Sequence, residues 1–225
     1  MVFTRLVNIV NIRKPHDVND VNISAERMNQ TRNKPYHHGN LAAALVNAAA
    51  RLLEENGAAA VTVRAVAREA GVTATALYRH FADKVALLAA VAARGFANLV
   101  DRFNRAAAPG LPPRQHLVEQ GLAYIAFAAE HPHLHALMFG PRVPGAEGNA
   151  DLGHWAAESF RLLVDATAAC LPTGSGQDKI MSTAIALWSL VHGYATLHRD
   201  GQLNGLPSQA MPDTARIISS LLPEG

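Results

Sequence analysis

The chain has 225 residues, 49% of them hydrophobic and 17% charged, enough for a sizeable core in one long domain or two unequal ones. A net charge of +2 does not mark the whole chain for nucleic acid, and a single cysteine, Cys170, excludes an intramolecular disulfide and fits a reducing compartment. The distribution of charge is more informative: residues 28–84 carry seven Lys/Arg against four Asp/Glu, net +3, while residues 85–225 carry nine against eleven, net −2.

Residues 1–33 have little helical period and read as a poorly ordered extension. Its opening, MVFTRLVNIV, is too short for a signal peptide and has no small-residue cleavage site. Arg32 and Lys34, just before the first helix, are placed as an arm that would touch phosphate or the minor groove, or else as a charged tail. A first helix is expected from about Asn40 to Asn56, with Leu41, Leu45, Ala48 and Leu52 on one face and Gly57 stopping it. The stretch VTVRAVAREAGVTATALYRHFADK, Val61 to Lys84, then reads as a helix, a tight turn, a second helix and the capped start of a third. Thr62, Thr73 and Asp83 are the expected N-caps, Gly71 ends the first of these helices, and small Ala67 lets the two helices cross closely. Leu77 and Phe81 would point inward from the second, about Thr73 to Phe81. Arg64, Tyr78, Arg79, His80 and Lys84 are left around the turn, where a DNA backbone would need them.

A fourth helix, Lys84 to about Ala107, carries Leu87, Leu88, Val91, Phe96, Leu99, Val100 and Phe103 on more than one face, and PGLPP ends it. Further helices are expected at about Arg114–Glu130 (Leu117, Tyr124 and Ala128 inward), His131–Phe139, Asp151–Leu171, Asp178–Arg199 and Asp213–Leu222, with loops at PRVPGAEGNA and PTGSGQ. The helix at 178–199 is apolar almost all round, so more than one face must be covered. Its most apolar window, Thr183 to Leu197, falls short of the ~20 residues that span a bilayer and contains His192, so no membrane partner is expected and the chain reads as cytoplasmic. Without strand patterns or repeats, the fold class is all-α, of about nine helices.

The run TVRAVAREAGVTATALYRHFADKVALLAAV, with the preceding helix from Leu41, resembles the DNA-binding domain of the tetracycline-repressor (TetR) family of transcriptional regulators over about sixty residues without a gap. MNQTRNKPYHHGNL also resembles the usual family opening, which makes Met28 a candidate start. Farther on, ALWSLVHGYATL resembles a C-terminal subtype of that family named for its Trp-His-Gly signature, here Trp188, His192 and Gly193. The resemblance implies an extension at 1–33, a helix-turn-helix DNA-binding domain at 34–84 (motif about 62–81) and a ligand-binding, dimerising body at 85–225. It implies a ligand-responsive repressor that binds a palindromic operator as a homodimer. Thr73, Ala74, Thr75 and Ala76 would then face base edges, with Arg79 farther along, while Arg64, Tyr78, His80 and Lys84 would contact phosphates. Two alanines offer only methyl contacts there, which shifts weight to DNA shape and to Arg79.

The last two helices, with apolar surface beyond one core's needs, are the expected dimer interface. The expected effector is small and mostly apolar, with Phe96, Phe103, Tyr124, Phe127, Met138, Phe139, Trp155 and Phe160 as candidate lining and Trp188 and His192 joining them; the same residues would also simply fill a core. His131, His133 and His135 invite a metal reading, but on a helix only the first and third share a face, so they read as exposed or capping histidines. Trp188 and His192 share a helix face, yet no nucleophile motif stands beside them and no Gly-rich phosphate loop occurs, so no catalytic residue, metal or cofactor is assigned. The alternative is an all-helical small-molecule-binding or catalytic protein whose helix-turn-helix is only scaffold.

Overall fold

The computed structural model describes residues 41–140, 148–204 and 214–220. The expectations for the extension at 1–33, the Arg32–Lys34 arm, the Met28 start, the loop at 141–147 and both ends of the last helix lie outside the described residues. Within them the chain forms nine helices and no strand: α1 Leu41–Ala60, α2 Val63–Glu69, α3 Ala74–Tyr78, α4 Lys84–Ala106, α5 Pro113–Glu130, α6 Pro132–Phe139, α7 Ala150–Cys170, α8 Gln177–Arg199 and α9 Thr214–Ser219.

The head is α1–α3. Leu45, Ala48, Ala49 and Leu53 of α1 are buried, with the expected Leu41 and Leu52 half-buried beside them. Gly57 does interrupt α1 (φ 74°, ψ 175°), and a further short turn runs on to Ala60 before Val61 is buried. Each expected cap is made: the side chains of Thr62, Thr73 and Asp83 accept from the backbone N–H of Ala65, Ala76 and Ala86 at 3.1, 3.2 and 2.7 Å. Such a cap contributes about 1 kcal/mol, which matters for helices as short as α2 and α3. Gly71, at φ 70°, turns the chain between them, and Val72 N–H closes the turn on Ala67 O at 2.9 Å. Helix α3 is shorter than expected, ending at Tyr78. The N–H groups of His80 and Phe81 still bond to Leu77 O (2.9 and 3.0 Å), so the chain keeps turning to Phe81. Leu77, with no exposed surface, anchors α3 to the head.

Helix α4 joins head to body. It buries Leu87, Val91, Phe96, Leu99, Val100 and Phe103 against α1, α5, α6 and α7, using more than one of its faces. Arg102 of α4 reaches Glu130 of α5 at 2.6 Å while its guanidinium covers the Phe127 ring at 5.4 Å. Head and body also meet where α1 passes α6. Helix α6 has no side-chain cap of its own, and Glu54 of α1 supplies one, its Oε1 accepting from Leu134 N–H at 2.8 Å. His133 Nδ1 lies 3.0 Å from the Glu54 carbonyl oxygen and donates to it.

Helix α8 packs on α5, α7 and α9 through Ala184, Leu187, Val191 and Ala195. Its 23 residues are by length and composition enough to cross a bilayer, as those of a soluble core helix can be. Asp178 and Lys179 in its first turn and a hydrogen-bonded His192 near its C-terminal end interrupt that apolar character. Ile185 and Leu197 remain 41% and 46% exposed, the surface beyond one core's needs.

Candidate functional site

Around the turn of the head, charge is sorted by what each group bonds. The acidic groups are largely engaged: Glu69 pairs with Arg51 at 3.0 Å, Asp83 caps α4 and Glu54 caps α6. Arg64 on α2 and Arg79 at the end of α3 are exposed and make no ion pair among the described residues. Tyr78 is 54% exposed, a large ring left uncovered next to Arg79 and the exposed His80. Thr73 and Thr75 are exposed and Ala74 and Ala76 half-buried, so the N-terminal turn of α3 turns two hydroxyls outward, of which Thr73 Oγ1 accepts the cap bond and keeps its own O–H to give. Lys84 differs from the other cations. It is half-buried, and its Nζ donates to Ala58 O at 3.0 Å, pinning the start of α4 to the short turn beyond Gly57. Its two remaining N–H groups are what it has for any other partner.

The ten body residues expected as lining divide. Phe96, Tyr124, Phe139, Phe160, Trp188 and His192 form one cluster: Phe139 is 5.2 Å from Phe96, 5.8 Å from Tyr124, 6.1 Å from Trp188 and 5.3 Å from His192, centroid to centroid, and Phe160 lies 6.0 Å from Trp188. The other four pack in the same core but outside this set of ring contacts. Phe127, fully buried, packs between Arg102 and His131; Trp155 stacks edge-on against His154; Met138 covers Gly95 of α4; and Phe103 is buried with no ring partner among the described residues. A shallow groove of about 360 Å³ at Pro112, Arg114, Gln115, Val118 and Ser219 lies elsewhere, between α5 and α9.

The three histidines of α6 diverge. His131 meets Phe127 and His133 reaches Glu54. His135, read from the sequence as exposed or capping, is 1% exposed and belongs to the cluster. The Tyr124 hydroxyl lies 2.9 Å from His135 Nε2 and 2.8 Å from His192 Nδ1, and the Trp188 side chain also bonds it. The two imidazoles stack at 5.2 Å. Burial, then the neighbouring His192 and Arg199, pull the His135 pKa down to about 4. Burial and Arg199 lower that of His192 too. Burial raises the Tyr124 hydroxyl well above an ordinary phenol, against the opposing bond from Trp188. The cluster is therefore aromatic, hydrogen-bonded and uncharged at neutral pH, linking α5, α6 and α8. Its missed member had a signal: His135 lies four residues before Phe139, on the inward face of α6.

Residues 45–91 match the family model described as bacterial regulatory proteins, tetR family, and residues 117–221 match the tetracycline-repressor-like C-terminal domain. An HTH-type transcriptional regulator of Mycobacterium tuberculosis is 25% identical, over 71% of this chain and 81% of its own length. A solved structure of a protein of unknown function from Rhodococcus sp. RHA1 is 32% identical, with a TM-score of 0.67 over 84% of this chain and 94% of that one. A TetR variant from Acinetobacter baumannii AYE, solved in complex with minocycline, shares the fold at 22% identity, with a TM-score of 0.55 over 79% of this chain and 91% of that one.

Proposed function

This chain belongs to the TetR family and is a DNA-binding transcriptional regulator, and from that premise we propose that it is a ligand-responsive repressor, working in the cytoplasm as a homodimer on a palindromic operator. The observation that carries the reading is the exposed set of Arg64, Tyr78, Arg79 and His80 around a fully capped turn, its arginines in no ion pair among the described residues. Helix α3 enters the major groove with Thr73, Ala74, Thr75 and Ala76 toward the base edges and Arg79 as the side chain able to read a guanine. Arg64, Tyr78 and His80 hold phosphates and set register; Lys84 shares that role with its bond to Ala58.

One five-residue helix buries too little for specific affinity, so two copies act together. The exposed Ile185 and Leu197 support α8, with α9, as the surface joining them. The effector binds at the aromatic cluster of the body; the minocycline complex of the Acinetobacter baumannii relative supports a small-molecule site in this architecture. It acts only through unequal affinity for the DNA-bound and released arrangements, transmitted along α4 and through the α6–α1 contact at Glu54. The role is regulatory rather than catalytic. Titration of the full chain with its own upstream DNA and with random duplex, at several salt concentrations, tests the reading. The upstream sequence should bind at least about a thousandfold more tightly. Equal, weak binding to both would leave the helix-turn-helix as scaffold.

A further inference from the structure

The polar residues inside the body can be accounted for one by one. Ser159 and Thr167, both buried, donate to carbonyls of their own helix, Ala156 O at 2.8 Å and Leu163 O at 2.7 Å. The Tyr124 hydroxyl has one hydrogen to give and two lone pairs to receive with. Trp188 has only an indole N–H to offer, so it donates to Tyr124. The hydroxyl then donates to one of His135 and His192 and accepts from the other, and its capacity is full.

Gln120 is the exception. It is 3% exposed and its Oε1 is buried with no hydrogen-bond partner among the described residues. It stands on α5 four residues before Tyr124, on the same inward face and one turn along. A buried carbonyl oxygen left unpaired in a native core calls for a partner that the chain itself does not provide.

We propose that Gln120 Oε1 is the polar anchor of the effector site and that the effector is an uncharged, ring-bearing molecule whose O–H or N–H group donates to it. This rests on the effector reading above and names the chemistry that site selects. Rings are favoured because Phe96, Phe139 and Trp188 present aromatic faces and edges beside Tyr124. Charge is disfavoured because no carboxylate or ammonium belongs to the cluster and both of its imidazoles are neutral at pH 7. The donor is required because Tyr124 has nothing left to give or receive, which leaves the Gln120 oxygen as the buried acceptor still open.

Calorimetric titration of the full chain with naphthol, its methyl ether and naphthoate separates the possibilities at neutral pH. The three share a ring system and differ in donor, acceptor-only and anionic character. Naphthol should bind saturably and about tenfold more tightly than the ether, with naphthoate weakest. Gln120→Leu should remove the preference for naphthol over the ether while leaving the protein as resistant to urea as before, or more so. Gln120→Met, close to the same shape, repeats the test should the leucine variant misfold. No naphthol binding, an ether or naphthoate that binds as well, or a preference that survives both variants would overturn the assignment. Operator binding, measured on the same samples without ligand, reads the regulator function alone. Intact operator binding beside failed naphthol selectivity would therefore sink the ligand chemistry and not the proposed function.

Discussion

Tyr124→Phe removes one oxygen and leaves the ring packing at Phe139 and His135 in place. Three groups lose their partner. His135 Nε2 is the costly one, because His135 is 1% exposed and water cannot replace the hydroxyl, so its loss costs about 1–3 kcal/mol. His192 and Trp188 are half-buried and recover part of theirs from solvent, at about 0.5 kcal/mol each. The sum is about 2–4 kcal/mol, or a fall in Tm of about 5–15 °C for a chain of this size. Urea denaturation followed by circular dichroism measures it. Tyr194→Phe is the control, since among the described residues that hydroxyl meets only Thr214, at a marginal 3.5 Å, and should cost under about 0.5 kcal/mol. A Tyr124→Phe protein within 0.5 kcal/mol of wild type would show that the network carries no net stabilisation.

Four further outcomes follow from the same structure. His135 has its folded pKa depressed to about 4, below the unfolded value, so the native state binds fewer protons between the two; stability should be full above pH 6.5 and fall by up to about 3 kcal/mol as pH drops toward 4, read by urea midpoints at pH 7.5 and 4.5. Glu54→Ala should uncap α6 at a cost of about 1 kcal/mol and speed hydrogen exchange at the Leu134 amide, with α5 amides unchanged. Arg64→Ala and Lys84→Ala should each lower the salt slope of operator binding by about one, but only Lys84→Ala should also destabilise the fold, by about 1 kcal/mol, because only Lys84 bonds to Ala58 O. Ile185→Glu should give a monomer on gel filtration with helix content retained, since that side chain is 41% exposed within one chain.

Much of the head was legible because its determinants are local. A cap needs a hydroxyl or carboxylate three residues before the N–H it satisfies, and Thr62, Thr73 and Asp83 meet that condition within their own turns. Gly71 and Gly57 mark positions where φ must be positive, again a local demand. Helical period likewise gave the register of Leu77 and of the buried faces of α4 and α5. The residues proposed to meet DNA were chosen by place rather than by bonding: Arg64, Tyr78, Arg79 and His80 are exposed, yet nothing within a single turn could reveal that Lys84 spends a hydrogen bond on Ala58 across 26 residues.

By itself, then, the sequence determined the all-α class, the caps and the turn, since these depend on residues within about four positions of one another. The tertiary structure decided which of ten candidate body residues meet. Periodicity names the inward face of each helix, but not which inward faces lie opposite, so Phe103, Phe127, Met138 and Trp155 looked equal to Phe96 and Phe139 until α4–α8 were packed. The same holds for His135 and Gln120. Whether a polar residue on an inward face is satisfied depends on a partner from another helix: His135 finds Tyr124 eleven residues away and Tyr124 finds His192 sixty-eight away, while Gln120 Oε1 finds none. Burial converts each of those pairings into a free-energy difference, and burial is a property of the assembled helices, not of any stretch of chain.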